Sequence, residues 1–133
     1  MEGAICMCTF TTINNSNNES IKVAQNKAPF IQNIIDISGD YSYILKIILF
    51  GSSLTEDCSD DSDIDIMLVS DVPRSKLYKN KAYRDFLRRI HDKDDYSQQY
   101  DVICVYGAEV DREDDFYRNV RENGQLLYAK GKI

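Results

Sequence analysis

Two short groups of residues in the middle of the chain have the types and spacing needed for chemistry on a phosphate. Gly51 and Ser52 end one apolar run, and after ten further residues Asp63 and Asp65 open a second. Glycine lets a backbone approach a ligand closely, and the exposed N–H groups where a helix begins attract phosphate. Strand side chains alternate, so both carboxylates project from one face. The spacing predicts a phosphate cradle beside a pair of carboxylates.

The two carboxylates Asp63 and Asp65 indicate a binding site for a hard cation. Mg²⁺ is usually held by one or two carboxylates together with phosphate oxygens. Without a metal, several carboxylates would repel a polyanion, so binding of a triphosphate is predicted to require Mg²⁺. A strand edge that faces water is the alternative for Asp63 and Asp65, although a carboxylate in an apolar strand is costly without a compensating partner.

The Gly-Ser pair, the ten-residue spacing and the Asp-Ile-Asp motif between apolar strands resemble the DNA polymerase beta-type nucleotidyltransferase superfamily. The resemblance covers roughly residues 30–128, and this short chain resembles in particular the minimal nucleotidyltransferases, especially the antitoxins of HEPN-domain toxins. The resemblance implies that the triphosphate of ATP is held by Gly51, Ser52 and Ser53. It also implies that the catalytic, metal-binding carboxylates are Asp63, Asp65 and Asp101.

Asp101 is carried over because it opens the next apolar strand, YDVICVY, where the family has its third carboxylate. Asp94 and Asp95 in the preceding loop are the alternatives for that position. With three carboxylates the resemblance implies two Mg²⁺ ions, roughly 4 Å apart, that stabilise the attacking and leaving oxygens at the α-phosphorus. The residues after Ser52 depart from many relatives, which have a basic residue and a glycine there.

Antitoxins of this family transfer AMP from ATP to a tyrosine of the toxin, so the resemblance implies a protein adenylyltransferase with a small helical HEPN-type partner. Two other functions fit the same residues. An antibiotic nucleotidyltransferase would act on a small hydroxylated substrate, and a non-catalytic antitoxin would inhibit its partner only by covering it. A single domain of this length lacks a second domain over the nucleotide, so a homo- or hetero-oligomer is expected to complete the site.

Composition limits the other partners. The chain has 133 residues and a net charge of −6, so long-range attraction to nucleic acid or to an anionic membrane is not expected. No apolar run reaches transmembrane length. The four cysteines lack the paired spacing of zinc sites and accompany no signal peptide, which predicts free thiols and a cytoplasmic location.

The fold predicted from the strand and helix patterns is α/β (α+β), a nucleotidyltransferase palm with a mixed sheet of about four strands and helices packed on it. Residues 1–20 are rich in Asn, Ser and Thr and are predicted to form a poorly ordered arm, and residues 21–133 a single domain. A helix is predicted from Pro29 to Gly39, strands over 41–50, 63–69 and 100–106, helices after Pro73 and before Gly124, and a short last strand.

The helix predicted after Pro73 has a basic surface. The basic residues of this surface are Lys76, Lys79, Lys81, Arg84, Arg88 and Arg89. An ordinary solvated helix face is one interpretation of this pattern. A docking surface for an acidic partner is the other.

Overall fold

The computed structural model describes residues 9–51, 63–92, 98–109 and 115–131. Within these residues the strands are, in chain order, β1 (Phe10–Asn14), β2 (Ser20–Ala24), β3 (Ile44–Phe50), β4 (Ile64–Ser70), β5 (Tyr100–Tyr106) and β6 (Gln125–Ala129). The α-helices are α1 (Ala28–Ser38), α2 (Arg74–Leu77), α3 (Lys81–Asp92) and α4 (Asp115–Asn123). No helix in the described ranges has the length and apolar character needed to cross a membrane.

The last four strands form one mixed sheet in the order β5-β4-β3-β6. β4 and β5 run parallel, whereas β3 is antiparallel to both of its neighbours, β4 and β6. Parallel neighbours need a crossover connection, and α2 and α3 lie in the segment that connects β4 to β5. The predicted α/β fold with a mixed four-stranded sheet is therefore confirmed.

The pleat of β3 sorts its apolar side chains onto two covered faces. Ile47 and Leu49 belong to the same core as the buried residues of α1 and α3. Ile48, between them in sequence, packs instead with Val120 of α4. A strand that is covered on both faces needs a nearly continuous apolar sequence, and this explains the run at the end of β3.

α1 has the boundaries that its sequence predicts. Pro29 lies in the first turn, and Gly39 caps the last. Ile31 and Ile34 are fully buried, and burial of one such side chain contributes about 1.5–3 kcal/mol. α1 and α3 together cover one face of the sheet, and α4 covers part of the other.

Residues 10–24 form a β-hairpin, so the prediction of a poorly ordered arm over residues 1–20 is wrong for residues 10–20. β1 and β2 pair antiparallel along their whole length. The Asn-rich stretch between them is a tight turn, in which Asn15 Oδ1 accepts hydrogen bonds of 2.9 Å from the N–H groups of Asn17 and Glu19. Asn and Ser favour turns, and Thr and Ile favour strands. Residues 1–8 lie outside the described residues.

The hairpin is attached to the domain at β6. Ser16 N–H donates to the carbonyl oxygen of Leu127 at 3.0 Å, and Asn15 Nδ2 donates to that of Leu126 at 3.1 Å. Ile21 and Val23 on β2 are buried in the core that α1 covers. The domain therefore includes residues on the N-terminal side of the predicted boundary at residue 21.

The helix predicted after Pro73 is divided into α2 and α3. Asn80 lies between them, and its Oδ1 accepts a hydrogen bond of 2.7 Å from Ala82 N–H. That bond is typical of a residue that caps the start of a helix. Phe86 and Ile90 of α3 are fully buried, so the apolar side of α3 packs on the sheet.

Cys104 on β5 is a buried free thiol. Burial raises its pKa, and the thiol donates a hydrogen bond of 3.3 Å to the hydroxyl of Tyr83. A neutral thiol packed in this way is a core residue, because nucleophilic and metal-binding cysteines react as thiolates. Cys6, Cys8 and Cys58 lie outside the described residues.

Candidate active site

Side chains from three neighbouring strands form a row at the end of the sheet where β3 ends and β4 and β5 begin. Phe50 on β3 is opposite Asp65 on β4, and Asp65 is opposite Asp101 on β5. Opposite residues share a face of the sheet, and neighbouring strands are about 4.8 Å apart. Asp65 is half-buried and Asp101 is exposed. Asp65 and Asp101, the carboxylate pair, therefore lie side by side next to an aromatic ring.

Gly51 packs directly against the carboxylate of Asp65. Its φ of 79° lies in the left-handed region, which favours glycine. A Cβ atom at this position would lie 2.9 Å from Cγ of Asp65 and closer still to its Oδ2. The sequence analysis explains a glycine at residue 51 by the close approach of a phosphate. The structure adds a second reason for glycine at this position. Only a residue without a side chain leaves Asp65 in its place.

Asp63 is exposed and immediately precedes β4. The regular pairing with β5 starts at the next residue, Ile64. Among the described residues, no three His, Cys, Asp or Glu side chains are placed to hold a metal ion together. The carboxylate pair fits one hard divalent cation, because Mg²⁺ usually takes one or two carboxylates with phosphate oxygens and water. The structure thus pairs Asp65 with Asp101 and leaves Asp63 outside a three-ligand cluster.

A buried lysine supports this edge of the sheet from the start of α1. Lys27 is 1% exposed, and its Nζ donates to Gln98 Oε1 at 2.8 Å. Gln98 Nε2 donates to the carbonyl oxygen of Gln99 at 2.8 Å, and the same oxygen accepts a hydrogen bond of 3.0 Å from Ile64 N–H. Hydrogen bonds therefore connect the start of α1 to the strand residue next to Asp65. A buried ammonium group is costly unless it has partners, and Gln98 is such a partner.

A cavity of about 710 Å³, the α4 cavity, opens between the end of β3 and α4. Phe50 and Gly51 line one side of it, and Phe116, Asn119 and Asn123 line the side formed by α4. The rings of Phe50 and Phe116 meet edge to face with their centroids 5.8 Å apart. Phe50 is also the neighbour of Asp65 in the sheet. Two direct neighbours of Asp65, Phe50 and Gly51, therefore line the α4 cavity, and its volume is typical of small-molecule sites.

The side chains of α4 that line the cavity were not predicted as site residues. The short apolar stripe of this helix predicts packing, and Tyr117 and Val120 are indeed buried. Phe116 is instead 46% exposed. The available signal was the spacing of Phe116, Asn119 and Asn123, since residues three and four apart lie on one helix face.

Part of the predicted site lies outside the described residues. Ser52 and Ser53, predicted to hold the triphosphate with Gly51, belong to this part of the chain. Asp94 and Asp95, the alternatives for the third carboxylate, belong to it too. Gly51 is the residue of the predicted phosphate cradle that the structure describes.

The basic surface of α3 lies on the other side of the sheet from the carboxylate pair. A groove of about 810 Å³ there is lined by Lys81 and Arg84, among others, and by Tyr41. The hydroxyl of Tyr41 donates to Asp85 at 2.6 Å and accepts from Arg89 at 3.1 Å. Burial, followed by the hydrogen bond to Asp85, raises the pKa of Tyr41. This network joins α3 to the residues after α1, and it belongs to the fold.

A comparison with known protein families gives a match. The family model described as Polymerase beta, Nucleotidyltransferase matches residues 32–133, which include the predicted phosphate cradle and all three predicted carboxylates. A comparison with curated proteins gives no match. The matched segment covers most of the chain and contains the four-stranded sheet and its α4 cavity. The chain therefore belongs to the polymerase beta nucleotidyltransferase family.

Proposed function

We propose that this domain uses Mg²⁺ to transfer AMP from ATP to a hydroxyl group of an acceptor, with pyrophosphate as the leaving group. The pairing of Asp65 with Asp101, with Gly51 packed against Asp65, is the observation that carries the proposal. Transfer of a nucleotidyl group is the activity of the family as a whole. The identity of the nucleotide, the metal and the acceptor are the proposed parts.

The carboxylates have different roles in this proposal. Bound between Asp65 and Asp101, Mg²⁺ would neutralise phosphate oxygens and favour attack at the α-phosphorus. Asp65 is half-buried and packs against Gly51, so it serves as the fixed ligand. Asp101 is exposed on an edge strand, so its carboxylate can also accept the proton of the attacking hydroxyl. Asp63 is assigned to a second cation, which requires its carboxylate to approach the pair.

The triphosphate is assigned to Gly51, Ser52 and Ser53. Because Gly51 packs against Asp65, a phosphate next to Gly51 lies close enough to share a cation with the carboxylate pair. The hydroxyl groups of Ser52 and Ser53 supply further hydrogen-bond donors to phosphate oxygens.

The acceptor that we assign is a tyrosine hydroxyl of a HEPN-type toxin, as implied by the resemblance to the minimal antitoxins. The concentration of basic residues between Arg74 and Arg89 supports a protein partner with an acidic surface. Inhibition by covering, without catalysis, is the competing function. It is favoured by Ser53, Leu54 and Thr55, which stand where many relatives have a basic residue and a glycine.

ATP labelled at either the α- or the γ-phosphorus tests the proposal. The protein is incubated with Mg²⁺ and a co-expressed HEPN-type partner, and the partner is then analysed by mass spectrometry. We expect label only from the α-position and a mass gain of AMP on a tyrosine. In the control, Asp65→Asn should co-purify with the partner and transfer no label. A second experiment expresses the Asp65→Asn variant together with the active toxin in cells. Full protection of the cells from the toxin would contradict catalysis and support inhibition by covering.

A further inference from the structure

We propose that the α4 cavity binds the base of the nucleotide and selects adenine. This inference rests on the proposed function, because it assumes that the phosphates lie at the carboxylate pair. Phe50 is at once the sheet neighbour of Asp65 and part of the cavity wall. Neighbouring strands are about 4.8 Å apart, so the cavity begins one strand away from Asp65. A nucleotide with its phosphates at Asp65 and Gly51 can therefore place its base against Phe50.

An exposed aromatic ring gives the base a surface for stacking. Phe116 is 46% exposed, and its ring stands edge to face against Phe50 at an angle of 86°. Among the described residues, Tyr78 is the other large hydrophobic side chain with such exposure, at 51%. A large apolar side chain that remains exposed in a cavity is typical of a ligand surface. Stacking of a base on such a ring strengthens binding by about tenfold to a hundredfold.

Two amide side chains on the same face of α4 supply the polar contacts. Asn123 Nδ2 donates a hydrogen bond of 3.1 Å to Asn119 Oδ1. In this bond Asn123 uses its donor and Asn119 its acceptor, so a ligand can use the Nδ2 of Asn119 as a donor and the Oδ1 of Asn123 as an acceptor. Adenine presents a matching pair, its N6 amino donor beside its N7 acceptor. Guanine presents two acceptors, N7 and O6, along that edge, so one of them would face Asn123 Oδ1.

The test compares three ligands, each with Mg²⁺: ATP, GTP and inorganic tripolyphosphate. Calorimetry on the full chain should show that tripolyphosphate binds, that ATP binds more tightly, and that GTP binds less tightly than ATP. Phe116→Ala should weaken ATP by about tenfold to a hundredfold and leave tripolyphosphate unchanged. Phe116→Tyr keeps a ring and should retain the affinity for ATP. Tyr78→Ala, a matched exposed aromatic outside the cavity, should change none of these affinities.

The amide contacts are tested on the same helix. Asn123→Ala removes the acceptor and should reduce the preference for ATP over GTP to about twofold or less, while Glu122→Ala, its neighbour in sequence, should leave that preference intact. An ATP affinity no greater than that of tripolyphosphate, or one insensitive to Phe116→Ala, would overturn the base site. A Phe116→Ala variant that binds ATP normally but transfers AMP slowly would also overturn the base site. It would indicate that the cavity binds the tyrosine ring of the acceptor.

The failure of the proposed function has a different signature. The proposed function fails if the affinity for tripolyphosphate and the affinity for ATP are each the same in Mg²⁺ as in a chelator. In that case the carboxylate pair does not hold a metal-bound phosphate. The base site then loses the anchor on which it rests. Mg²⁺-dependent tripolyphosphate binding without added affinity for ATP leaves the proposed function in place and overturns the base site alone.

Discussion

The two faces of β4 place different requirements on one strand. Ile64 and Ile66 are fully buried against the core that α1 and α3 cover. On the opposite face, Met67 and Val69 pack with α4, whereas Asp65 lies at the open end of the strand next to Asp101. Apolar burial therefore stabilises one face along its whole length. The other face becomes polar where the cover by α4 ends.

The polar end of β4 places two like charges next to each other. Two carboxylates that stand directly opposite each other on paired strands repel, and such a pair destabilises a sheet. The chain nevertheless has Asp65 opposite Asp101, with Gly51 in a left-handed conformation beside them. Substitutions one residue apart in β4 should therefore act on different properties, activity on one face and stability on the other.

Asp65→Asn is expected to have the largest effect. The substitution keeps the shape of the side chain and removes the charge that holds the cation, so the rate of AMP transfer should fall by about 10²–10³-fold or more. The free energy of unfolding should stay the same or rise, because repulsion from Asp101 is relieved. Transfer assays and urea unfolding of the same preparation measure both. A strongly destabilised variant would show that Asp65 serves the fold.

Ile66→Ala, one residue along, should do the opposite. It leaves a cavity in the core and should lower the free energy of unfolding by about 2–5 kcal/mol. The rate of transfer per folded molecule should change little, since Ile66 faces away from the carboxylate pair. Chemical denaturation gives the first quantity, and activity corrected for the folded fraction gives the second. Loss of activity in a fully folded sample would break the division between the two faces.

Gly51→Ala should affect both properties. The new Cβ would clash with the carboxylate of Asp65, and alanine is strained at a φ of 79°. We expect a loss of about 1–3 kcal/mol in stability together with slower transfer. Gly39→Ala is the matched control, since its φ is −66° and its nearest neighbour would be Tyr128 Cε1 at 3.8 Å. A Gly51→Ala variant as active and as stable as Gly39→Ala would show that residue 51 does not need to be a glycine beside Asp65.

Asp85→Asn is expected to have the smallest effect. Asp85 is a carboxylate that stabilises the fold, whereas Asp65 and Asp101 belong to the site. The hydrogen bond from Tyr41, followed by the contact with Arg88, lowers the pKa of Asp85 below its ordinary value of 3.8. A pKa lowered by folding stabilises the protein above that ordinary value, and the stabilisation is lost as the pH falls through the lowered pKa. The variant should be slightly less stable than the wild type at pH 7. Urea unfolding at pH 7 and pH 3 should show a smaller difference at pH 3, and a constant difference would refute this role.

Local sequence patterns were sufficient for most of the fold. α1 and strands β3 to β6 lie where periodicity, Pro29 and Gly39 place them, because each element buries a face that its own sequence defines. The hairpin of β1 and β2 was missed because Asn-rich turns and disordered segments have similar compositions. The break at Asn80 was missed because the apolar residues of α2 and α3 continue at helical spacing across it.

The site depends more on contacts between distant parts of the chain. The motif predicted Asp63 and Asp65 as a pair, and the resemblance added Asp101 as a third carboxylate. The register that places Asp65 opposite Asp101 is a property of the assembled sheet. The clash that excludes a side chain at residue 51 likewise needs two strands in place. Phe116 belongs to an apolar stripe in sequence, and only the end of β3 shows that the ring faces a cavity. Packing, and not local pattern, decides such positions.

Anomalous diffraction from crystals grown with Mn²⁺ and a non-hydrolysable ATP analogue would show whether Asp65 and Asp101 bind the metal of a bound nucleotide. Mn²⁺ takes the same oxygen ligands as Mg²⁺ and can be located by its scattering. We predict a peak bonded to carboxylate oxygens of both Asp65 and Asp101 and to a phosphate oxygen, at roughly 2.1 Å from each. A nucleotide bound with its metal elsewhere, or with neither carboxylate as a ligand, would contradict the account.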